Sequence, residues 1–322
     1  MPIQSALALV GVAKQTNKAT RIANPQYGHG VTDGSILTVE VQQELESRTS
    51  GTRFSPAVNR TAVLPGFDFT GRVHAASAGL WLFGALGAIS TTGTTTKTHA
   101  ITLGADLPYL TVTGRMDSNI YSVDGAKVDA CELSWSENEP LEMAVSGMGC
   151  AMTLPATFTA VTDDSFATYM RPAGGSFQLD IDGTTLGAEK MTGGSVSIAN
   201  NLSPVLLSGA LTPDDVFPGQ QTVECSFDVT PDDLDEWRTV LTGTAAGTTI
   251  SSAPIYGSFS TQFTDGTNTL TLAANRVAFT MDFPSADAAG GAVSISLAGL
   301  VVLGATGGTA FTATLTNTVT AY

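Results

Sequence analysis

Two stretches of the sequence share one pattern, and this repeat constrains the fold more than any other feature. Residues 66–87 and residues 222–243 each begin with alternating apolar and polar side chains and continue with apolar side chains at helical spacing. Alternation predicts a strand with one buried face, and the helical spacing predicts a short amphipathic helix. A shift of roughly 156 residues places Trp81 on Trp237 and keeps the strand parity. The repeat predicts two similar units in one chain.

The predicted helices have recognisable ends. Gly87 and Gly243 follow the two apolar stripes and are suited to left-handed C-terminal caps. Thr230 precedes the second helix as an N-cap, with a proline at the first helical position. The side chains expected to pack these helices on the rest of the chain are Leu80, Trp81, Phe83, Leu234, Trp237 and Leu241.

A chain of 322 residues is long enough for two domains, each with its own core. Most of the remaining apolar stretches alternate with period two, so the predicted fold is mainly β. We expect two β domains related by the internal repeat, each with one short flanking helix. The predicted divisions are an N-terminal arm (1–33), a first β domain (34–150), a linker (151–174) and a second β domain (175–322).

The clearest strand begins at Gly34 and has two distinct faces. Its apolar face, expected to pack on a core, carries Leu37, Val39, Val41 and Leu45. Its polar face, expected to meet water, includes Glu40, Gln42, Glu44 and Glu46. A strand of this kind suits a sheet that is buried on one side and solvated on the other.

Residues 1–33 show no sustained period and hold a cluster of basic residues in an acidic chain. We interpret them as an arm that becomes ordered on another subunit, the alternative being a frayed terminus without a role. The residues expected to make that contact are Val10, Lys14, Lys18 and Arg21. Deleting the arm should then leave a folded protein that cannot polymerise.

Charge and cysteine content exclude several classes of function. The formal net charge is −15, which disfavours binding to nucleic-acid phosphates. Cys131, Cys150 and Cys225 are odd in number and lack a C-x-x-C spacing, so they predict neither disulfides nor a zinc site. No stretch is apolar enough for a membrane span, and the start of the chain lacks the basic region of a signal peptide. The chain is expected to be made in the cytoplasm.

The sequence offers no catalytic constellation. The three histidines lie far apart without metal-ligand spacing, and no P-loop or nucleophile elbow is present. Asp180 and Asp182 resemble the start of a calcium loop, but its twelfth position is Met191 where a glutamate is needed. We therefore expect no enzyme activity, no cofactor and no metal.

Three stretches resemble the tail tube proteins of long-tailed, non-contractile bacteriophages. They are residues 10–15 with Asn24 and Pro25, the strand–helix at residues 66–87, and the strand–turn–strand at residues 127–134 and 139–146. The resemblance covers the first half directly and the second half only through the repeat. The second half departs from the pattern because it lacks the arm.

The resemblance implies a structural virion protein. Each tube domain would be a β-sandwich with a flanking helix, and its inner strands would join those of its neighbours into a barrel around a lumen. Rings would stack, helped by terminal arms, into a tail tube assembled in the host cytoplasm. Its partners would be further copies, the tape-measure protein, and the tail-tip and tail-terminator proteins, while DNA would pass through without specific binding.

The number of chains per ring follows from the repeat. Rings of this family commonly hold six tube domains, so a chain with two would form a trimer with pseudo-sixfold symmetry. The alternative is a six-chain ring in which the second half decorates the outside. Ser197, Ala199 and Asn201 stand where glutamates would be expected in a second acidic strand. The predicted lumen-facing residues are Glu40, Gln42, Glu44 and Glu46.

Two other classes of function compete with a tail tube. A tail-tip, decoration or adhesin domain of a virion would also be mainly β, but it would need neither the long strand with one polar face nor the arm. A secreted carbohydrate-active enzyme would show a signal peptide and aromatic sugar platforms, and aromatic residues form only 7% of this chain.

Overall fold

The strands and helices come from a computed structural model of the chain. It describes residues 8–23, 25–45, 57–116, 119–153, 168–174, 176–181, 184–186, 191–230, 234–244, 246–281, 295–303 and 309–322. Within these ranges the chain forms 21 strands and two short helices. The prediction of a mainly β fold is confirmed.

The first half of the chain contains ten strands and one helix in its described parts. They are β1 (Ala8–Lys14), β2 (Tyr27–Gly30), β3 (Asp33–Leu45), β4 (Val58–Arg72), α1 (Ala78–Leu86), β5 (Gly87–Thr92), β6 (Lys97–Leu103), β7 (Leu110–Met116), β8 (Asn119–Ser136), β9 (Glu142–Met148) and β10 (Ala151–Thr153).

The second half adds eleven described strands and one helix. They are β11 (Arg171–Pro172), β12 (Gln178–Ile181), β13 (Thr184–Leu186), β14 (Met191–Ala199), β15 (Ser203–Val205), β16 (Asp215–Phe217), β17 (Thr222–Val229), α2 (Leu234–Thr242), β18 (Ile255–Thr264), β19 (Thr269–Met281), β20 (Ile295–Val301) and β21 (Phe311–Asn317).

Eight antiparallel strands form one continuous sheet, which we call the main sheet. Their order across the sheet is β3-β4-β9-β8-β14-β17-β20-β19. The first four strands come from the first half and the last four from the second half. Each half therefore contributes a unit of four strands, and β8 and β14 meet where the two units join.

The same connectivity occurs in both units. In each, an antiparallel pair precedes a short helix, β3–β4 in the first unit and β14–β17, with β15 and β16 between its strands, in the second. A later antiparallel pair (β8–β9 or β19–β20) completes the four strands. Side-chain rows also correspond, because Phe69, Val145 and Cys131 pair across one unit as Cys225, Gly299 and Phe279 do across the other. Phe69 and Cys225 lie as far apart in sequence as Trp81 and Trp237.

One face of the main sheet, here called the dry face, is covered by α1 and by further strands. The nine residues of α1 are all buried, and its Trp81 ring lies 5.1 Å from Phe69 and 5.9 Å from Phe67 between ring centroids. As predicted, Gly87 caps this helix with φ of 95°, and its amide N–H donates to the carbonyl of Phe83. Glycine suits this position because it adopts a left-handed φ and has no Cβ atom that would clash.

The covering strands extend from both halves. The amino-terminal part of β8 leaves the main sheet and pairs with β7. β7 also pairs with β1, and β1 pairs in turn with β2. Beside the second unit, β21 pairs with β19 and also with β6, which carries β5 on its other edge. The β5–β6 hairpin of the first half thus pairs with a strand of the second half. One cluster of buried side chains runs through both halves.

Two segments are more regular than expected. Residues 1–33 were expected to become ordered on another subunit, but β1 and β2 lie there and pair within the chain. The threonine-rich stretch at residues 88–99, whose low-complexity sequence favours a polar loop, belongs mostly to the β5–β6 hairpin. Both segments gain order from strands distant in sequence, β7 for the first and β21 for the second. The described ends of the predicted linker form β10 and β11.

Two histidines are buried where β2 meets the start of α1. His29 is 0% exposed, and its ring centroid lies 6.1 Å from that of His74 and 5.7 Å from that of Phe69. Its Nδ1 is 3.1 Å from the hydroxyl oxygen of Ser77. Burial, followed by the nearby His74, lowers the pKa of His29 from 6.5 to about 3. The folded protein therefore holds this imidazole neutral at neutral pH.

Acid should destabilise the fold through His29. The folded state keeps the pKa below its unfolded value, so unfolding takes up a proton at intermediate pH and stability falls as pH drops below 6.5. Each pH unit in this range should cost about 1.4 kcal/mol, until the folded pKa is reached. Chemical denaturation from pH 7 to pH 4 measures this slope, and His29→Gln should make it shallower. Parallel curves for the two proteins would contradict the assignment.

Candidate assembly surfaces

The second face of the main sheet, here called the wet face, carries mostly polar side chains. One row of paired residues crosses seven strands of both units: Thr70, Ala144, Glu132, Ser197, Glu224, Leu300 and Ala278. Exposed carboxylates on this face are those of Asp68, Glu132, Glu142, Glu224 and Asp228, and Arg72 is the exposed cation among them. The wet face is therefore an acidic, solvated surface.

The wet face is concave where the two units meet. A groove of about 750 Å³ runs over β8, β14, β17, β20 and β19. Its lining is polar on β8, β14 and β17 (Glu132, Ser195, Ser197, Glu224 and Ser226) and largely apolar on β19 and β20 (Ala278, Phe279, Ala298 and Leu300). Ser195 and Ser197 place a neutral strip on β14 between the carboxylates of Glu132 on β8 and Glu224 on β17.

The two units are joined by a seven-residue ladder between β8 and β14, from Ala130 with Ala199 to Ser136 with Gly193. On the dry face Trp135 crosses from the first unit into the core of the second, with its ring 4.9 Å from Phe263 and 6.3 Å from Phe227. A Cβ atom on Gly194, the pairing partner of Trp135, would lie 2.8 Å from the Trp135 ring. Glycine at this position therefore makes room for the indole.

On the side of the first unit, the last strand of the main sheet is β3, which pairs with β4 along one edge. In the described part of the chain, no strand pairs with its outer edge. In the second unit β14 takes the place of β3, and the edge of β14 that corresponds to the free edge of β3 pairs with β8. An edge of this length with unpaired amide and carbonyl groups is a template for another strand.

The apolar face of β3 is less buried than predicted. Leu37 is half-buried, but Val39, Val41 and Leu45 are 42%, 40% and 65% exposed. The prediction that this whole face packs on a core is wrong within the single chain. The reason is geometric: β9 ends at Met148, which pairs with Gly66, so the β3–β4 hairpin extends past its neighbour.

The acidic residues of β3 are solvated as expected. Glu40, Gln42 and Glu44 are exposed, and the Gln42 amide donates to the Glu40 carboxylate at 3.0 Å. A shift in pairing register separates Gln42 from Gln43, so Glu44 follows an irregularity in the strand. Glu46 lies outside the described residues. Whether these side chains face a lumen stays a prediction.

The N-terminal residues singled out by sequence make contacts within the chain. Val10 is fully buried in β1 between β2 and β7. The Lys14 ammonium lies 4.5 Å from the Phe83 ring centroid, and the Arg21 guanidinium lies 3.6 Å from the Asp124 carboxylate. Contact of this segment with another ring stays a prediction, and residues 1–7 lie outside the described part of the chain.

A charge cluster that the sequence did not reveal attaches β15 and β16 to the first half. The Lys18 ammonium donates to the Asp214 carboxylate at 2.8 Å, and the Tyr109 hydroxyl donates to Asp215 at 2.9 Å. The buried Lys127 donates to the Val216 carbonyl at 2.6 Å. The hydrogen bond with Asp214 raises the pKa of Lys18, and burial with Asp215 raises that of Tyr109 to about 12.

The remaining candidates have structural environments. Leu80, Trp81 and Phe83 pack in the core as predicted. Leu241 is half-buried, and the side chains of Leu234 and Trp237 lie outside the described residues.

Burial raises the pKa of the Cys131 and Cys225 thiols to about 12, so both stay protonated near neutral pH. Within the described ranges, no group of histidine, cysteine and carboxylate side chains could hold a metal ion. None of the described helices is long and apolar enough to cross a membrane.

Comparison with known protein families gives a match over nearly the whole chain. Residues 5–321 match the family described as phage tail tube protein. The match spans both halves of the chain, including the second half that the sequence motifs reached only through the repeat. Among curated proteins, no sequence matches the chain.

Deleting residues 1–33 should now destabilise the protein, contrary to the expectation drawn from sequence. The deletion removes the buried Val10 and Val12 and uncovers an edge of β7. The two valines alone should contribute about 3–6 kcal/mol to the free energy of unfolding. Thermal denaturation measures the loss, with deletion of residues 1–7 as the control that leaves β1 complete. An unchanged melting temperature after deletion of residues 1–33 would contradict the position of β1.

Proposed function

Because the chain belongs to the phage tail tube protein family, we propose that it polymerises as stacked rings into the hollow tube of a phage tail. The tube would serve as the conduit for the tape-measure protein and the genome. The observation that carries this proposal is the main sheet, in which two four-stranded units join edge to edge through β8 and β14. Repeating this junction between chains would extend the sheet around a ring.

The two ends of the main sheet suit such a junction. The free edge of β3 corresponds to the edge of β14 that accepts β8, and β19 corresponds to β8. In the described part of the chain, β18 pairs with the outer edge of β19 only as far as Phe279. Beyond Phe279 the described part of β19 has only Thr280 and Met281 on that edge, and we propose that this end of β19 pairs with β3 in the next chain. Closing a sheet into a barrel removes both edges.

Three chains per ring agree best with this arrangement. Six four-stranded units are expected per ring, and the chain supplies two. The alternative, a six-chain ring with the second half as decoration, is disfavoured because β14, β17, β20 and β19 continue the main sheet. Tail-tip and tail-terminator proteins would then cap a stack of such rings.

The wet face would line the lumen. It is concave, solvated and acidic, and carboxylates repel the phosphates of passing DNA. Glu40, Gln42, Glu44 and Glu46 would extend this lining along β3. Because β14 (Met191–Ala199) carries no carboxylate whereas β3 carries Glu40 and Glu44, acidic and neutral wall segments would alternate three times around the ring.

Reversing charge on the wet face should slow the passage of DNA without preventing assembly. Glu132 and Glu224 are exposed on one row, so changing both to lysine should leave the fold nearly intact. Lysines in the lumen would bind phosphates, and we expect infectivity to fall at least about 10-fold while tubes still form. Electron microscopy of tails and a DNA-ejection assay measure the two effects.

Asp106→Lys is the matched control, since Asp106 is an exposed carboxylate in the β6–β7 connection. It should leave ejection unchanged. Normal ejection through tubes built from the Glu132→Lys, Glu224→Lys protein would contradict the lumen assignment. Purified wild-type protein that forms neither rings nor tubes at any concentration would contradict the proposed function itself.

A further inference from the structure

A turn at one end of the main sheet carries three exposed leucines. After β14 the chain forms the β15–β16 pair, and the first six residues between those two strands, 206–211, are here called the tip. Leu206, Leu207 and Leu211 are 41%, 56% and 47% exposed. Exposed apolar side chains that are grouped in this way mark a contact surface, whereas scattered single ones do not.

The tip is anchored to the first half although its leucines are exposed. Its turn is closed by the Ala210 amide N–H, which donates to the Leu207 carbonyl at 2.9 Å. The Leu211 carbonyl accepts from the amide N–H of Val63 on β4 at 2.7 Å. The charge cluster around Asp214 holds the β15–β16 pair on the same side. The leucines are therefore presented on a turn with a defined position.

A pocket of about 290 Å³ lies at the opposite end of the main sheet, where β8 ends and β14 begins. Its lining includes the buried rings of Trp135 and Phe177, and the exposed Glu137, Asn138 and Arg171 lie at its margin. A cavity of about 150 Å³ with apolar walls can hold a benzene ring, so this pocket has room for a leucine side chain.

Trp135 also carries an unmet hydrogen-bond donor at this pocket. In the described part of the chain, its buried Nε1–H has no hydrogen-bond partner. Buried donors are nearly always paired, so this group calls for an acceptor that comes from outside. A turn inserted into the pocket would bring backbone carbonyl groups, and the tip also carries the exposed Ser208, whose hydroxyl can accept.

The tip and the pocket lie at the two ends of the same strand. β14 begins with Met191 and Thr192, which line the pocket, and it ends at Ala199, after which the chain leads to the tip. Its nine residues span about 30 Å. Strands of a barrel wall run at about 35–45° to the barrel axis, so the two ends of β14 would face the two neighbouring rings of a stack. Stacking would turn the tip side of one ring towards the pocket side of the next.

We propose that rings stack by insertion of Leu207 of one chain into this pocket of a second copy in the next ring, with Leu206 and Leu211 against its margin. The inference rests on the proposed tube and adds the contact that joins successive rings. The contact is heterologous, because every chain offers a tip in one direction and a pocket in the other, so the stack grows without closing. It also gives the tube a direction, since the two ends of each ring differ.

A charge at the centre of the tip tests the contact. Leu207→Asp should raise the concentration at which half of the chains are in tubes by at least about 10-fold, because insertion would bury a carboxylate, while single rings still form. Electron microscopy and sedimentation velocity separate rings from tubes, and circular dichroism melting checks the fold. Ile250→Asp is the control and should form tubes as the wild type does, since Ile250 is an apolar residue outside the tip and the pocket that is 63% exposed.

A disulfide trap decides the matter if Leu207→Asp fails to fold. Thr192 is half-buried in the pocket lining, so tubes of a Leu207→Cys, Thr192→Cys protein should give a ladder of linked chains on oxidation, and tubes of either single variant should not. Wild-type tube formation by folded Leu207→Asp, loss of its rings as well as its tubes, or double-cysteine tubes without a ladder would each overturn the contact. Wild-type protein that forms neither rings nor tubes would instead overturn the proposed function, so the two failures are distinguishable.

Discussion

The β8–β14 ladder is the interaction on which the rest of the structure depends. It sets the register between the two halves, so that apolar residues such as Cys131 and Ile198 meet on the dry face and polar residues such as Glu132 and Ser197 meet on the wet face. A shift by one residue would exchange the faces and bury carboxylates. Trp135 fixes that register by inserting into the second core.

Sequence periodicity predicted the elements whose partners lie close in the chain or whose pattern is strong. The strands β4 and β17, the two short helices and the caps at Gly87 and Gly243 follow from alternation, spacing and glycine geometry alone. It failed for β1, whose order comes from pairing with β7 about 100 residues away, and for the β5–β6 hairpin, which is completed by β21. Such long-range pairings leave no local signal.

The candidate surfaces show the same division. The exposure of Glu40 and Gln42 could be predicted from parity, but the salt bridge between Lys18 and Asp214 joins residues 196 positions apart and could not. The apolar face of β3 was read correctly as apolar and wrongly as covered. Parity reports which side chains share a face, whereas the length of the neighbouring strand decides whether anything lies on that face.

The central claim is that one chain supplies two adjacent wall units and that chains join as the units do. A cryo-EM reconstruction of the assembled tube tests it most directly. The account predicts three chains per ring, with the main sheet continuous from β19 of one chain to β3 of the next and the wet face toward the lumen. Six equivalent chains per ring, or a second unit lying outside the wall, would contradict it.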